Sequence, residues 1–158
     1  MALKWVFPVL LMAATAVCDP IDTAYDLMDA IEYGNGRALE TILSSDLYQT
    51  LDGFIEQARS IATADPVLAE DLLRSRYGTA VSLEDLEDLS NQEIMGLIME
   101  TITLQPEEYI ERETASMEGR EATVVIHYFN GSTISFRMNW EDGDWRVSDS
   151  SLLAAMFR

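Results

Sequence analysis

Apolar residues recur at three- and four-residue intervals from Pro20 to about Leu104 and alternate after Pro106, which predicts a helical half followed by a sheet half. Ile21, Tyr25, Met28 and Ile31 share one face of a first helix, and Gly34-Asn35-Gly36 ends it. Arg37 to Leu43 forms a short second helix. Ser45 then stands where it can cap a longer helix carrying Leu47, Leu51, Phe54, Ala58 and Ile61 on one stripe. Asp65-Pro66 opens the next helix, because proline in a first turn lacks only an N–H that has no helical partner anyway, and Gly78 closes it. Ser82 with Asp85 and Ser90 with Glu93 have capping-box spacing, in which hydroxyl and carboxylate each accept from the other residue's backbone N–H. The second box leads into Ile94, Leu97, Ile98 and Ile102. Five or six helices fit in this half.

Four strands are predicted after it: Glu108 to Met117, Glu121 to Phe129, Ser132 to Trp140, and Trp145 to Ser148. Helices followed by antiparallel strands make an α+β fold, with N-terminal helices packed on a curved C-terminal sheet of about four strands. Read as a two-residue turn, Asn130-Gly131 pairs His127 with Ile134, Val125 with Phe136 and Thr123 with Met138. The core face is then Val125, His127, Phe129, Ile134, Phe136, Met138 and Trp140, with Trp145 opposite Trp140. The other face carries Val124, Ile126 and Tyr128 beside Ser135, Arg137 and Asn139, too apolar for a fully solvated surface. A homodimer through the sheet explains that surplus, and so does a G1 bulge that flips the strand.

At 158 residues the chain fits one domain, 18–158, with a helical part 20–104, a sheet part 107–148 and a C-terminal tail 149–158. A hydrophobic fraction of 48% argues against disorder, and a single cysteine allows no internal disulfide. The formal net charge of -18 repels phosphate backbones and anionic headgroups, so nucleic acid is excluded as a partner.

Residues 1–17 read as a cleaved secretory signal peptide: Lys4, an apolar run from Trp5 to Met12, then small residues from Ala13 to Ala16. The apolar stretch is only about 13 residues, short of the roughly 20 that a spanning helix needs. Lys4 is the only lysine, so cleavage takes the formal charge from -18 to -19. Thr15-Ala16-Val17-Cys18 resembles a bacterial lipobox, whose cysteine becomes the lipidated first residue, although Thr15 and Val17 depart from its usual Leu and small residue. Cleavage beside Cys18 without lipidation is the other reading. Both send the protein out of the cytoplasm, to the periplasm or to a membrane-anchored place in the cell envelope, with contact to the membrane only through a lipid on Cys18.

Trp140-Glu141-Asp142-Gly143-Asp144-Trp145-Arg146-Val147, preceded by the alternating strand Ile134 to Met138, resembles the closing hairpin of nuclear-transport-factor-2-like domains. These are cystatin-like α+β cones found in many small exported bacterial proteins. The likeness extends in general order over Pro20 to Val147, and the chain departs from it in a large helical insert from Asp65 to Leu104. Enzymes of that fold use Asp, His and Tyr inside the cone. The positions that the resemblance turns inward here are Tyr25, Tyr109, His127 and Trp140, candidates for lining a pocket.

Chemistry beyond that is sparse. His127 is the only histidine, no nucleophile motif such as G-x-S-x-G occurs, no His/Cys cluster suggests zinc, and no cofactor motif is present. The acidic runs Glu84 to Asp88 and Glu141 to Asp144 lack EF-hand spacing and read as a solvated face and a turn. The sequence therefore points to a non-enzymatic cell-envelope module that binds a protein or a small apolar ligand. The alternative is an exported enzyme in which His127 or a tyrosine transfers a proton within an apolar cone.

Overall fold

A computed structural model of the chain describes residues 19–154; residues 1–17, expected to be a signal peptide, Cys18 and the last four residues lie outside them. Helices precede strands throughout. The order is α1 (Pro20–Glu32), a 3-10 turn (Gly36–Ala38), α2 (Leu39–Ile42), α3 (Ser45–Ala64), α4 (Pro66–Tyr77), α5 (Leu83–Asp88) and α6 (Asn91–Met99). A second 3-10 turn (Glu107–Tyr109) leads to β1 (Ile110–Glu118), β2 (Glu121–Tyr128), β3 (Thr133–Glu141) and β4 (Asp144–Ser150). The strands form one antiparallel meander in sequence order, an α+β fold.

The helix boundaries follow from their caps. Asp19 accepts from the Ile21 N–H at 2.9 Å, and Asp65 from the Leu68 N–H at 3.1 Å. Both capping boxes close reciprocally, Ser82 with Asp85 and Ser90 with Glu93. The cap of α3 is Ser44, one residue before the expected Ser45, because the Ser44 N–H donates to Val147 O at 2.8 Å and fixes that residue in extended geometry. That bond, with the Leu43–Val147 bridge, covers the β4 edge of the sheet.

The β2–β3 register differs from the expected one by a residue. Gly131 N–H donates to Tyr128 O at 2.9 Å, Tyr128 N–H donates to Ser132 O at 3.0 Å, and Gly131 sits at φ +83°. This is a three-residue loop ending in a G1 bulge, not a two-residue turn. Ile134 therefore faces Ile126, Phe136 faces Val124, and Met138 faces Ala122. The core face is Ala122, Val124, Ile126 and Tyr128 with Ile134, Phe136 and Met138, all buried. His127 and Val125 move to the outer face, and Phe129 is 69% exposed at the loop. The outer face now joins them to Thr123, Ser135 and Arg137, a polar surface, so the apolar surplus that suggested a dimer through that face is in fact core. The tight I′ turn lies instead at Asp142-Gly143, where both residues have positive φ (53° and 89°).

Buried side chains of α1 (Leu27, Met28, Ile31) and α6 (Ile94, Met95, Ile98, Met99) join the sheet's inner face in one core. α1 packs on β2 and β4, while α2 and α3 close over β4. Among the described residues strand β1 pairs only with β2, and its residues 111–118 are exposed. A long helical hairpin, α3–α4, extends the helical layer and meets α5 and α6 along one side.

Candidate functional site: an apolar cleft in the helical layer

The stripe on α3 that the spacing marks as apolar is longer than the core needs. Leu51 and Ile55 are buried, whereas Phe54, Ala58 and Ile61 are only half-buried. They form one wall of a cleft of about 210 Å³, whose other walls are Leu72 and Leu73 of α4, Val81 and Leu86 near α5, and Ile94 and Ile98 of α6. Arg76 and Tyr77 stand at the end of α4. The Arg76 guanidinium lies 5.8 Å from the centroid of the Phe54 ring, within cation–π range. Cavities of roughly 150 Å³ with Leu, Ile and Phe walls stay dry and hold a benzene-sized molecule, so this cleft suits a small apolar group.

One polar clamp holds α3 at a fixed distance from α5 and α6. Arg59 donates to Leu89 O at 2.6 Å and to Asn91 Oδ1 at 3.0 and 3.2 Å. Asn91 Nδ2 donates back to Asp52 and Glu56 of α3, each at 2.8 Å. Because the clamp spans three helices, the cleft's width is set by hydrogen bonds as well as by packing.

A second depression, of about 470 Å³, shares Arg76 and Tyr77 with the cleft and adds Thr101, Ile102, Thr103, Ser151 and Leu152. Its polar groups are hydroxyls and the guanidinium. Together the two depressions form an apolar slot with a polar landing beside it.

The four residues expected to line a cone are placed apart. Tyr25 on α1 donates its hydroxyl to Glu113 Oε1 of β1 at 2.5 Å, and burial followed by that hydrogen bond raises its pKa well above the usual phenol value. Tyr109 is 52% exposed, its carbonyl accepting the Phe129 N–H. His127 is on the outer face, with Nε2 3.4 Å from Thr114 Oγ1 across the strand. Trp140 stacks edge-to-face on Trp145, ring centroids 5.2 Å apart at 77°, and closes the end of the core. None of these four lines the apolar cleft. Tyr128, which the expected register turned outward, is in the core with its hydroxyl buried and unpartnered among the described residues; burial, then the charge of Glu107, raises its pKa.

The described residues contain no group of three or more His, Cys, Asp or Glu arranged to hold a metal ion, and no helix long and apolar enough to cross a membrane. The chain matches no known protein family, no curated protein and no solved structure.

Proposed function

We propose that this is an exported binding module that takes a small apolar ligand in the cleft between α3, α4, α5 and α6 and performs no chemistry on it. The observation that carries the reading is the incomplete burial of Phe54, Ala58 and Ile61 around a 210 Å³ slot lined mainly by apolar side chains, with Gln57, Arg76 and Tyr77 as its polar members. A core built only for stability closes such a slot, since dry voids forfeit dispersion contacts. The proton-transfer alternative needs a titratable group at the base of an apolar pocket, and His127 sits on a polar outer face instead. The hairpin that resembles nuclear-transport-factor-2-like domains supports export as the setting, and on that reading Cys18 is the residue to inspect for lipid. An intact mass from the native host shows the lipid directly.

The test of the cleft is fluorescence of N-phenyl-1-naphthylamine, a neutral apolar probe. Saturable enhancement is expected with the native chain. Ala58→Trp, which puts an indole into the slot, should abolish it at unchanged thermal stability. No enhancement with the native chain refutes the reading.

One observation favours a second reading, association of two copies edge to edge. Among the described residues the β4 edge is covered, whereas no strand or bridge pairs with the outer edge of β1. Glu118 and Glu121 close a tight turn at Gly119-Arg120, so by the antiparallel alternation Glu113, Ala115 and Met117 present their N–H and C=O to the open edge. A two-fold axis at Ala115 would place Arg112 opposite the Glu118 of a second copy. Sedimentation should then show a dimer that Ala115→Pro dissociates, since proline there removes only an outward donor; a native monomer at high concentration refutes this association.

A further inference from the structure

The chain carries 28 acidic residues against ten basic ones, yet no acid lines either the apolar cleft or the depression beside it. The other depressions differ. The one between α1 and the 107–109 turn presents five carboxylates, and the one beside the Trp140 hairpin presents Glu121, Glu141 and Asp142. Arg76 is the only charged side chain in the two acid-free depressions, and it belongs to both. Its guanidinium rests against Phe54 on the apolar side and makes no ion pair with any described carboxylate. On the other side lie the hydroxyls of Thr103 and Ser151, which can donate to a bound oxygen, beside Thr101, whose hydroxyl donates to Ile98 O at 2.7 Å.

From this arrangement we infer that the ligand is a single-tailed amphiphile with an anionic head: the tail fills the 210 Å³ cleft, and a carboxylate or similar oxyanion lies over Arg76 toward the hydroxyl-lined depression. The inference rests on the reading of the cleft as a ligand site and adds the charge of the ligand to it. A cation would meet a guanidinium and no acid there. A neutral apolar molecule would leave the Arg76 landing without use. An anion gains a charge-assisted hydrogen bond at a recess that no described acid lines, although the field of the whole molecule repels it elsewhere.

The experiment is displacement of N-phenyl-1-naphthylamine from the full chain by octanoate, octanol and octylammonium, which share one tail and differ in head. Octanoate should displace the probe at a concentration at least tenfold below octanol, with octylammonium weakest. Arg76→Gln should bring octanoate and octanol together, while Arg76→Lys should retain part of the preference; Arg76 is exposed, so both variants should fold. Equal displacement by octanoate and octanol, or a preference for octylammonium, overturns the anionic head and leaves the apolar cleft standing. Absence of probe binding and of any displacement overturns both. Sedimentation with phosphatidylglycerol vesicles but no octanoate displacement assigns a membrane surface instead, and also overturns the inference.

Discussion

Substituting alanine for glycine in a helix normally stabilises it by about 1 kcal/mol, yet Gly96→Ala should destabilise this protein. Gly96 lies in α6, and a Cβ added there would stand 2.4 Å from Gly34 O. Ordinary contact begins at 3.4 Å, so α6 and the Gly34–Gly36 turn must separate by about 1 Å. Neither neighbour can yield by swinging a side chain, because the clash is with backbone. The same helix buries Ile94, Met95, Ile98 and Met99, and each such side chain contributes roughly 2 kcal/mol by burial. A gap of 0.5–1 Å forfeits roughly a quarter to a half of a van der Waals well, so the four together lose about 2–4 kcal/mol. Subtracting the propensity gain leaves a net loss of about 2 kcal/mol, or roughly 4–8 °C in Tm for a chain of this size. Gly36→Ala should be worse: its Cβ would meet Gln92 O at 1.9 Å and Gly96 N at 2.6 Å, with no helix gain to offset it. Gly53→Ala is the internal control. Gly53 is also helical, in α3, but has nothing within 4 Å of the added Cβ, and should gain about 0.5–1 kcal/mol. Urea and thermal unfolding followed by circular dichroism measure all three. If Gly96→Ala proves as stable as Gly53→Ala, the backbone contact does not exist and the reasoning fails.

The observed register makes Phe129→Ser nearly neutral, within about 0.5 kcal/mol, and Phe136→Ala costly by about 3–5 kcal/mol; a large loss at Phe129 would restore the two-residue turn. Arg59→Ala should cost about 1–3 kcal/mol by leaving Leu89 O and the Asn91 amide with fewer partners, and a cycle with Asn91→Ala should be clearly non-additive; additive losses would dissolve the clamp. Stability should also have a maximum in mild acid. Withdrawal from water, followed by the charges of Asp29, Asp22 and Asp144, raises the pKa of Asp26, so its protonation adds stability as pH falls toward 3.8. Hydrogen bonds from Ser82 and Ser90 lower the pKa values of Asp85 and Glu93, so their contribution is present above 3.8 and 4.5 and disappears as pH falls through the depressed folded values. Ser82→Ala with Ser90→Ala should flatten that acid limb in pH-dependent urea titrations, and an undiminished slope would contradict the assignment.

What the sequence makes legible here is local. Caps act within three residues, so Asp65, Ser82 and Ser90 mark their helices correctly, and the change of period at Pro106 marks the sheet. The register is a different kind of problem. Strand β2 is apolar on both parities, with Val124, Ile126 and Tyr128 on one face and Val125 and, at the loop, Phe129 on the other, so its alternation cannot choose a face. Asn130-Gly131 does not choose either, because a glycine at positive φ serves an I′ turn and a G1 bulge equally. The deciding fact is tertiary: β3 has only one apolar face, Ile134, Phe136 and Met138, and helix α1 demands a β2 face that matches it in volume. Val124, Ile126 and Tyr128 meet that demand; a face with His127 in it does not.

The cleft was hidden for a related reason. Phe54, Ala58 and Ile61 continue the periodicity of Leu51 and Ile55, and periodicity records which side of a helix faces inward, not how closely the facing helix approaches. Here α4 approaches α3 through Ala69 and Leu73 alone among its buried residues, because Pro66 and Gly78 confine it to twelve residues and Arg59 holds α5 and α6 back along α3. The signal available in the sequence lies in the charges. Leu68 and Leu72 on α4 are apolar yet exposed, on a chain whose exposed positions are otherwise heavily acidic. Arginine 76 follows one turn after Leu72 with no carboxylate three or four residues before it, whereas Arg74 has Glu70 at 2.8 Å. An exposed apolar stripe ending in an arginine with no such helical partner marks a place where this acidic surface is interrupted, and the proposed ligand site rests on that interruption.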